Sequence, residues 1–179
     1  SDLDLIIVHS GKSKASQNDR LLIQEYGVKL IQRAIFLLTT ITRSGYAYTM
    51  DTRLRPSGNA GMLVTPWEVY FKYHQNSQAW EHQALVKGRI VAGASTQLES
   101  DGLIETISEF SKPGWFQDVE SGIEKAAYEW ETPEDLASQI HHLRSRKEKE
   151  LSAETDKKRN LKEGRGGLLD VEFLTQYLQ

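Results

Sequence analysis

The sequence contains no cysteine. Disulfides and thiolate metal sites are thereby excluded, and a reducing cytoplasm is the expected setting. It also lacks any apolar run long enough to span a bilayer, so no membrane role is expected. An excess of positive charge is missing too: 22 Lys and Arg stand against 25 Asp and Glu, a formal net charge of -3. A chain that lives on a nucleic-acid backbone is ordinarily basic, so nucleic acid is not the expected partner. There is no internal repeat. What remains is the composition of an ordinary globular domain, 39% hydrophobic and 26% charged. The 179 residues suffice for one domain with a real core, or for one domain carrying a helical extension.

The chain opens with Ser1-Asp2-Leu3-Asp4 and runs at once into Leu5, Ile6, Ile7 and Val8, an apolar, β-branched stretch that predicts a central strand. A protein rarely begins inside a core strand, so the sequence reads as part of something longer. Ser10 to Gln17 is polar and predicts a loop. Between Asn18 and Thr42 the apolar residues from Leu21 to Leu38 recur with helical spacing and form a broad face, with Gly27 as a local weak point. Tyr46 to Leu54 alternates as a strand does, Pro56 to Gly61 has the residue types of a tight turn, and Met62 to Val64 suits a short return strand.

Thr65-Pro66-Trp67-Glu68 has the chemistry of a helix start, with Thr65 as cap, Pro66 in the first helical position and Glu68 completing a capping box. Helical patterning then runs to Ala92 with a break near Ser77. A further helix is expected from a Ser95 cap through Glu109, ended by Lys112-Pro113-Gly114. Thr132-Pro133-Glu134-Asp135 begins a charged helix to Leu151, Glu154 to Arg159 is polar and expected to be mobile, Gly164 to Gly167 is a turn, and Leu168 to Gln179 is a final helix. The fold class is mixed α+β, strand-rich up to Val64 and mostly helical afterwards.

Four stretches carry chemistry. In a strand, residues two apart share a face, so Asp2 and Asp4 project together while Leu3 and Leu5 point the other way. Two carboxylates held that close require a cation or protons, and hard oxygen ligands suit Mg²⁺ with phosphate on its open side. Two solvated aspartates at a strand edge are the plainer alternative. If the chain is extended from Asp51 to Arg55, then Asp51, Arg53 and Arg55 also share a face, setting a third carboxylate beside two phosphate-directed guanidiniums. An Asp–Arg ion pair at a strand end fits the same residues.

Trp80 to Arg89 reads as helical, with Trp80 in the core, Lys87 and Arg89 either phosphate-directed or solvated, and His82 structural rather than catalytic. The glycines of Gly164-Arg165-Gly166-Gly167, ahead of a helix, present backbone N–H groups suited to an anion, though a plain loop followed by acidic residues at a helix start is the favoured reading.

In order along the chain, SDLDL from Ser1, DTRLRPSGNAGMLVT from Asp51, WEHQALVKGRIVAG from Trp80 and LKEGRGGLLDVEFLTQYLQ from Leu161 resemble the bacterial glutamine synthetase adenylyltransferases, of the polymerase-beta-like nucleotidyltransferase superfamily. The resemblance spans the whole chain. It implies a nucleotidyltransferase core over residues 1–93, followed by a mainly helical extension of the same domain over 94–179.

Family members carry two such domains, one that attaches AMP to glutamine synthetase and one that removes it by phosphorolysis; RLRPSGNAGMLVT and WEHQALVK look more like the attaching one. Carried over, the resemblance implies that Asp2, Asp4 and Asp51 hold two Mg²⁺ ions, that Asp51 also takes the proton of the target tyrosine, and that Arg53, Arg55 and Lys87 lie toward ATP. It implies glutamine synthetase as protein substrate and the PII signal protein as a partner of the full enzyme. The superfamily's triphosphate-holding Gly-Ser or Gly-Gly turn falls about ten residues before the Asp-x-Asp pair, upstream of Ser1. Alternatives consistent with the same residues are the AMP-removing domain, a nucleotidyltransferase with another acceptor, and a non-catalytic regulatory domain.

Overall fold

The computed structural model describes residues 2–10, 17–91, 114–155 and 157–179. The fold is mixed α+β and mostly helical. Four two-residue strands form two parallel ladders: β1 (Leu3–Asp4) pairs with β3 (Met50–Asp51), and β2 (Val8–His9) pairs with β4 (Thr65–Pro66). Six α-helices lie among the described residues: α1 (Gln17–Thr39), α2 (Trp67–His74), α3 (Ala79–Leu85), α4 (Trp115–Tyr128), α5 (Leu136–Leu151) and α6 (Leu168–Leu178). The chain divides into two compact units, Ser1–Tyr73 with Ile90–Glu120, and His74–Arg89 with Ser121–Gln179.

In the first unit the apolar run from Leu3 to Val8 is not one central strand. It changes partner midway: Leu5 N–H bonds to Asp51 O at 2.8 Å, and Thr65 N–H bonds to Ile7 O at 3.0 Å. The segment after Asp51 turns away into the loop between Thr52 and Gly61 and returns only at Thr65, so the opposing strand is interrupted. Each short strand therefore has one hydrogen-bonded neighbour, and Leu3 stays 38% exposed rather than buried.

The helix α1 runs unbroken through Gly27, which faces Val64: a Cβ at Gly27 would lie 3.4 Å from Val64 Cγ1. Gln24 ties the helix to the β2–β4 ladder, donating to Val64 O at 2.7 Å and accepting at Oε1 from His9 Nε2 at 2.9 Å. Its broad apolar face is only partly covered, because Ile23, Val28, Ile31 and Leu38 are half-buried while Leu22, Leu30 and Leu37 are exposed.

Thr65 does not cap a helix. It belongs to β4, is buried, and donates through Oγ1 to Met62 O at 3.3 Å. The return strand accordingly sits at Thr65–Pro66 rather than Met62–Val64. Pro66 closes the ladder, where its missing N–H costs nothing, and the helix starts after it. Trp67 stacks on Tyr70 at 5.4 Å and meets Trp115 edge-on at 6.1 Å.

The break near Ser77 is real, and the capping box falls after it: the Gln78 N–H donates to Glu81 Oε2 at 3.0 Å while the Gln78 side chain accepts from the backbone of Glu81. The helix that follows ends at Leu85, not Ala92, as the chain turns and Gly88 N–H bonds to Leu85 O at 2.7 Å. Trp80 is 39% exposed, with its Nε1 donating to Gln78 Oε1 at 3.0 Å, so it is not a core residue.

The sequence pattern missed α4, although Trp115, Val119, Ile123 and Ala126 recur at helical spacing. The second unit's buried apolar residues include Ala79, Leu85, Ala126, Ala127, Leu169 and Phe173. The charged helix α5 starts at Leu136, since Thr132 and Pro133 lie outside it. The polar segment after it is pinned by a tight bridge in which Thr155 and Lys158 exchange backbone hydrogen bonds of 3.0 and 3.1 Å. The helix expected from Ser95 to Glu109 lies outside the described residues. No described helix is long and apolar enough to cross a membrane.

Candidate active site

The β1–β3 ladder brings the acidic residues together. Asp4 lies in register with Asp51, and adjacent strands are about 5 Å apart. One repeat earlier, Thr49 Oγ1 donates to Asp2 Oδ1 at 2.5 Å. Two i, i+2 pairs, Asp2 with Asp4 and Thr49 with Asp51, thus meet across two strands. The spacing identified three of these four residues. Thr49 was missed, though stepping back two residues from Asp51 along the same strand face reaches it.

Asp51 is largely covered, its side chain 14% exposed, and it is held by Arg53. The Arg53 Nε donates to both carboxylate oxygens at 2.9 and 2.8 Å, its Nη2 donates to Oδ2, and its backbone N–H donates to Oδ1 at 2.8 Å. These hydrogen bonds hold the Asp51 carboxyl below its ordinary range, against the opposing effect of burial. Arg53 is pushed up, first by its bonds to Asp51 and then by the charges of that residue and of Asp2 and Asp4. One exposed guanidinium therefore sits in the field of all three carboxylates.

Arg55 does not share this face. The extended chain ends at Asp51, and a turn follows in which Arg55 N–H reaches Thr52 O at 3.4 Å and Gly58 N–H reaches Arg55 O at 2.8 Å. The Arg55 fork is turned inward on its own loop, donating to Thr52 O at 2.9 Å, Thr52 Oγ1 at 2.5 Å, Gly61 O at 3.2 Å and Asn59 O at 3.4 Å. The loop closes through a short 3₁₀ turn, Gly58–Ala60, entered from Ser57 and Gly58 at φ of 62° and 54°. Gly61 has no room for a side chain, because a Cβ there would fall 1.8 Å from Pro56 O. The expected tight turn is thus present, and it fixes the direction in which the chain leaves Asp51.

Among the described residues no three carboxylate or imidazole groups converge closely enough to grip a metal ion. The donor set nevertheless fits one in kind. Three carboxylates of hard oxygen character share one side, and the positive charge they demand is supplied by Arg53.

The remaining candidates belong to the second unit. Lys87 lies beyond the end of α3 and forms an ion pair with Glu172. His82 is structural, as expected: Nδ1 lies 2.6 Å from Ala126 O and must carry the proton there, Nε2 lies 2.9 Å from Ser77 Oγ, and the ring stacks flat on Trp130 at 4.3 Å. His74 is buried beside it, 3.1 Å from Ser77 Oγ, and burial lowers its pKa to about 4. The glycine turn serves an internal anion, since Gly166 N–H donates to Asp170 Oδ2 at 2.6 Å. Arg144 completes that corner, donating to Asp170 Oδ1 at 2.5 Å and to Gly164 O at 2.8 Å.

Comparison with known proteins places this geometry in context. Residues 1–103 match the family model described as glutamate-ammonia ligase adenylyltransferase, and residues 134–179 match one described as PII-uridylyltransferase. The bifunctional glutamine synthetase adenylyltransferase/adenylyl-removing enzyme of Psychromonas ingrahamii is 36% identical over 181 residues, covering 99% of this chain. The enzyme of the same name from Hahella chejuensis is 35% identical over 185 residues, again over 99% of the chain. The chain spans 17% of the length of each of these relatives.

Proposed function

The chain belongs to the glutamate-ammonia ligase adenylyltransferase family, and from that premise we propose that it forms the catalytic part of a domain that transfers AMP from ATP to a tyrosine of glutamine synthetase. The observation that carries the proposal is the register of Asp4 with Asp51, with Asp2 beside them and Arg53 in their common field.

In this reading Asp2, Asp4 and Asp51 would hold Mg²⁺, which would supply charge neutralisation at the transferring phosphoryl group. Asp51, once Arg53 has left it, would accept the phenolic proton. The tyrosyl oxygen attacks the α-phosphorus of ATP in line, a P–O bond to tyrosine forms, and the bond to the leaving pyrophosphate breaks. Arg53, highly exposed, would meet phosphate oxygens once it leaves Asp51. Arg55 acts indirectly, by fixing the loop that follows Asp51. Glutamine synthetase is the proposed protein substrate, the PII signal protein a partner of the whole enzyme, and the cytoplasm the proposed location.

The test is incorporation of labelled AMP into glutamine synthetase by the full-length enzyme in ATP and Mg²⁺. Asp51→Asn should abolish incorporation while circular dichroism shows an unchanged fold. Normal incorporation by folded Asp51→Asn would overturn the assignment. Loss of phosphate-dependent ADP release from adenylylated glutamine synthetase in Asp51→Asn, with forward transfer intact, would assign the domain to the removing reaction instead.

A further inference from the structure

Arg53 engages Asp51 in a way that exceeds an incidental surface pair. Two of its side-chain nitrogens and its backbone N–H converge on one carboxylate, and both oxygens are taken. Asp2 and Asp4 act on the same guanidinium. A hydrogen bond from Thr49 keeps Asp2 on this side. The short i, i+2 separation, with the backbone already turning at Thr52, holds the fork on Asp51 at small entropic cost. The Arg53 side chain is nonetheless 70% exposed, so its bonds to Asp51, rather than packing, keep it there. Arg55, two residues on, differs, because its donors are spent on Thr52, Asn59 and Gly61.

From this asymmetry we infer that Arg53 is an internal counter-ion, one that occupies the acidic cluster in the absence of metal and must be displaced from Asp51 before a divalent cation binds. The inference rests on the proposed reading of Asp2, Asp4 and Asp51 as metal ligands. It explains why three carboxylates on one side do not converge: the oxygens of the third are turned to the guanidinium. It also couples two events. Cation entry releases a positive fork next to the site where phosphate oxygens arrive, so metal and nucleotide should favour each other's binding. Metal affinity is accordingly set by competition with Arg53 and not by the carboxylates alone.

The experiment is direct titration of the chain with Mn²⁺ without nucleotide, the free ion being read by electron paramagnetic resonance. Arg53→Gln should bind Mn²⁺ about five-fold more tightly than wild type, the scale expected for loss of an exposed ion pair. Arg53→Lys should fall between the two, since an ammonium cannot fork onto both oxygens. Arg43→Gln, which removes the same charge from another exposed site of the first unit, should stay within about two-fold of wild type. Asp51→Asn should bind poorly with or without Arg53.

Equal affinity in wild type and Arg53→Gln, with Asp51→Asn still weak, would overturn the counter-ion inference and leave the metal site standing. Tightening by Arg43→Gln as large as that by Arg53→Gln would overturn it in favour of bulk charge. Wild-type affinity in Asp51→Asn would remove the metal assignment itself, and the inference with it. Circular dichroism of each variant confirms that the fold is retained.

Discussion

Replacing Arg55 with Gln separates two roles for a residue that the sequence alone directs toward phosphate. In the structure its guanidinium closes the loop between Thr52 and Gly61, with two well-formed bonds to Thr52, at 2.9 and 2.5 Å, and longer ones to Gly61 and Asn59 at 3.2 and 3.4 Å. Hydrogen bonds from a charged donor contribute about 1.5 to 3 kcal/mol when their partners stay dry, and less when water can take over. Arg55 is half-buried, so water reaches part of what it leaves behind. The two longer contacts add little. Together these considerations give a cost of about 2 kcal/mol.

The assay is urea denaturation followed by far-ultraviolet circular dichroism, comparing midpoints at constant slope. Gly61→Ala, which strikes the same loop without touching a charge, should produce a comparable loss, because its Cβ meets Pro56 O and overpacking costs about 1 to 3 kcal/mol. If Arg55→Gln keeps its stability within about 0.5 kcal/mol of wild type, the range of ordinary surface substitutions, while the full-length enzyme loses ATP use, the clamp argument fails and Arg55 works on the nucleotide.

Other expectations are as concrete. Arg144→Met should destabilise the second unit by about 2 kcal/mol, since Arg144 is only 7% exposed and its loss strands Gly164 O and Asp170, the latter partly relieved by water. In an Asp170→Asn background the cost should shrink; the same cost there would show that the pair is not the reason. His74, with its pKa lowered to about 4 by burial, binds its proton more readily in the unfolded chain. Stability from this residue is therefore complete above pH 6.5 and is lost as pH falls from there toward 4, by on the order of 2 to 3 kcal/mol, and denaturation curves of His74→Asn should lack that slope. Gly27→Ala should stabilise α1 by about 0.5 to 1 kcal/mol, because the added methyl makes only ordinary contact with Val64; a lower thermal midpoint would show that Val64 cannot accommodate it.

Much of the site was legible because it depends on local periodicity. Asp2 and Asp4 are two apart, Asp51 sits in a short alternating stretch, and a parallel ladder between them satisfies both patterns. The turn at Pro56 to Gly61 was visible in its residue types, and the closeness of Gly61 to Pro56 O shows why glycine is required. The break at Ser77 and the final helix from Leu168 were legible for the same reason. What failed were inferences from local chemistry that another contact overrode. Thr65-Pro66-Trp67-Glu68 has every mark of a capping box, yet pairing with Val8 and His9 draws Thr65 and Pro66 into a strand. Trp80 looks like core by type, but its indole N–H finds Gln78 and the ring stays at the surface.

The sequence by itself determined the mixed α+β class, the family, and which carboxylates face one way, because side-chain period and residue type are properties of the chain at short range. Only the tertiary structure decided that Asp4 stands opposite Asp51, that Arg53 closes on that carboxylate while Arg55 turns into its own loop, and that Lys87 pairs with Glu172. Those outcomes depend on where the chain after Asp51 turns and which distant group reaches a charge first, and no spacing along the sequence encodes that competition.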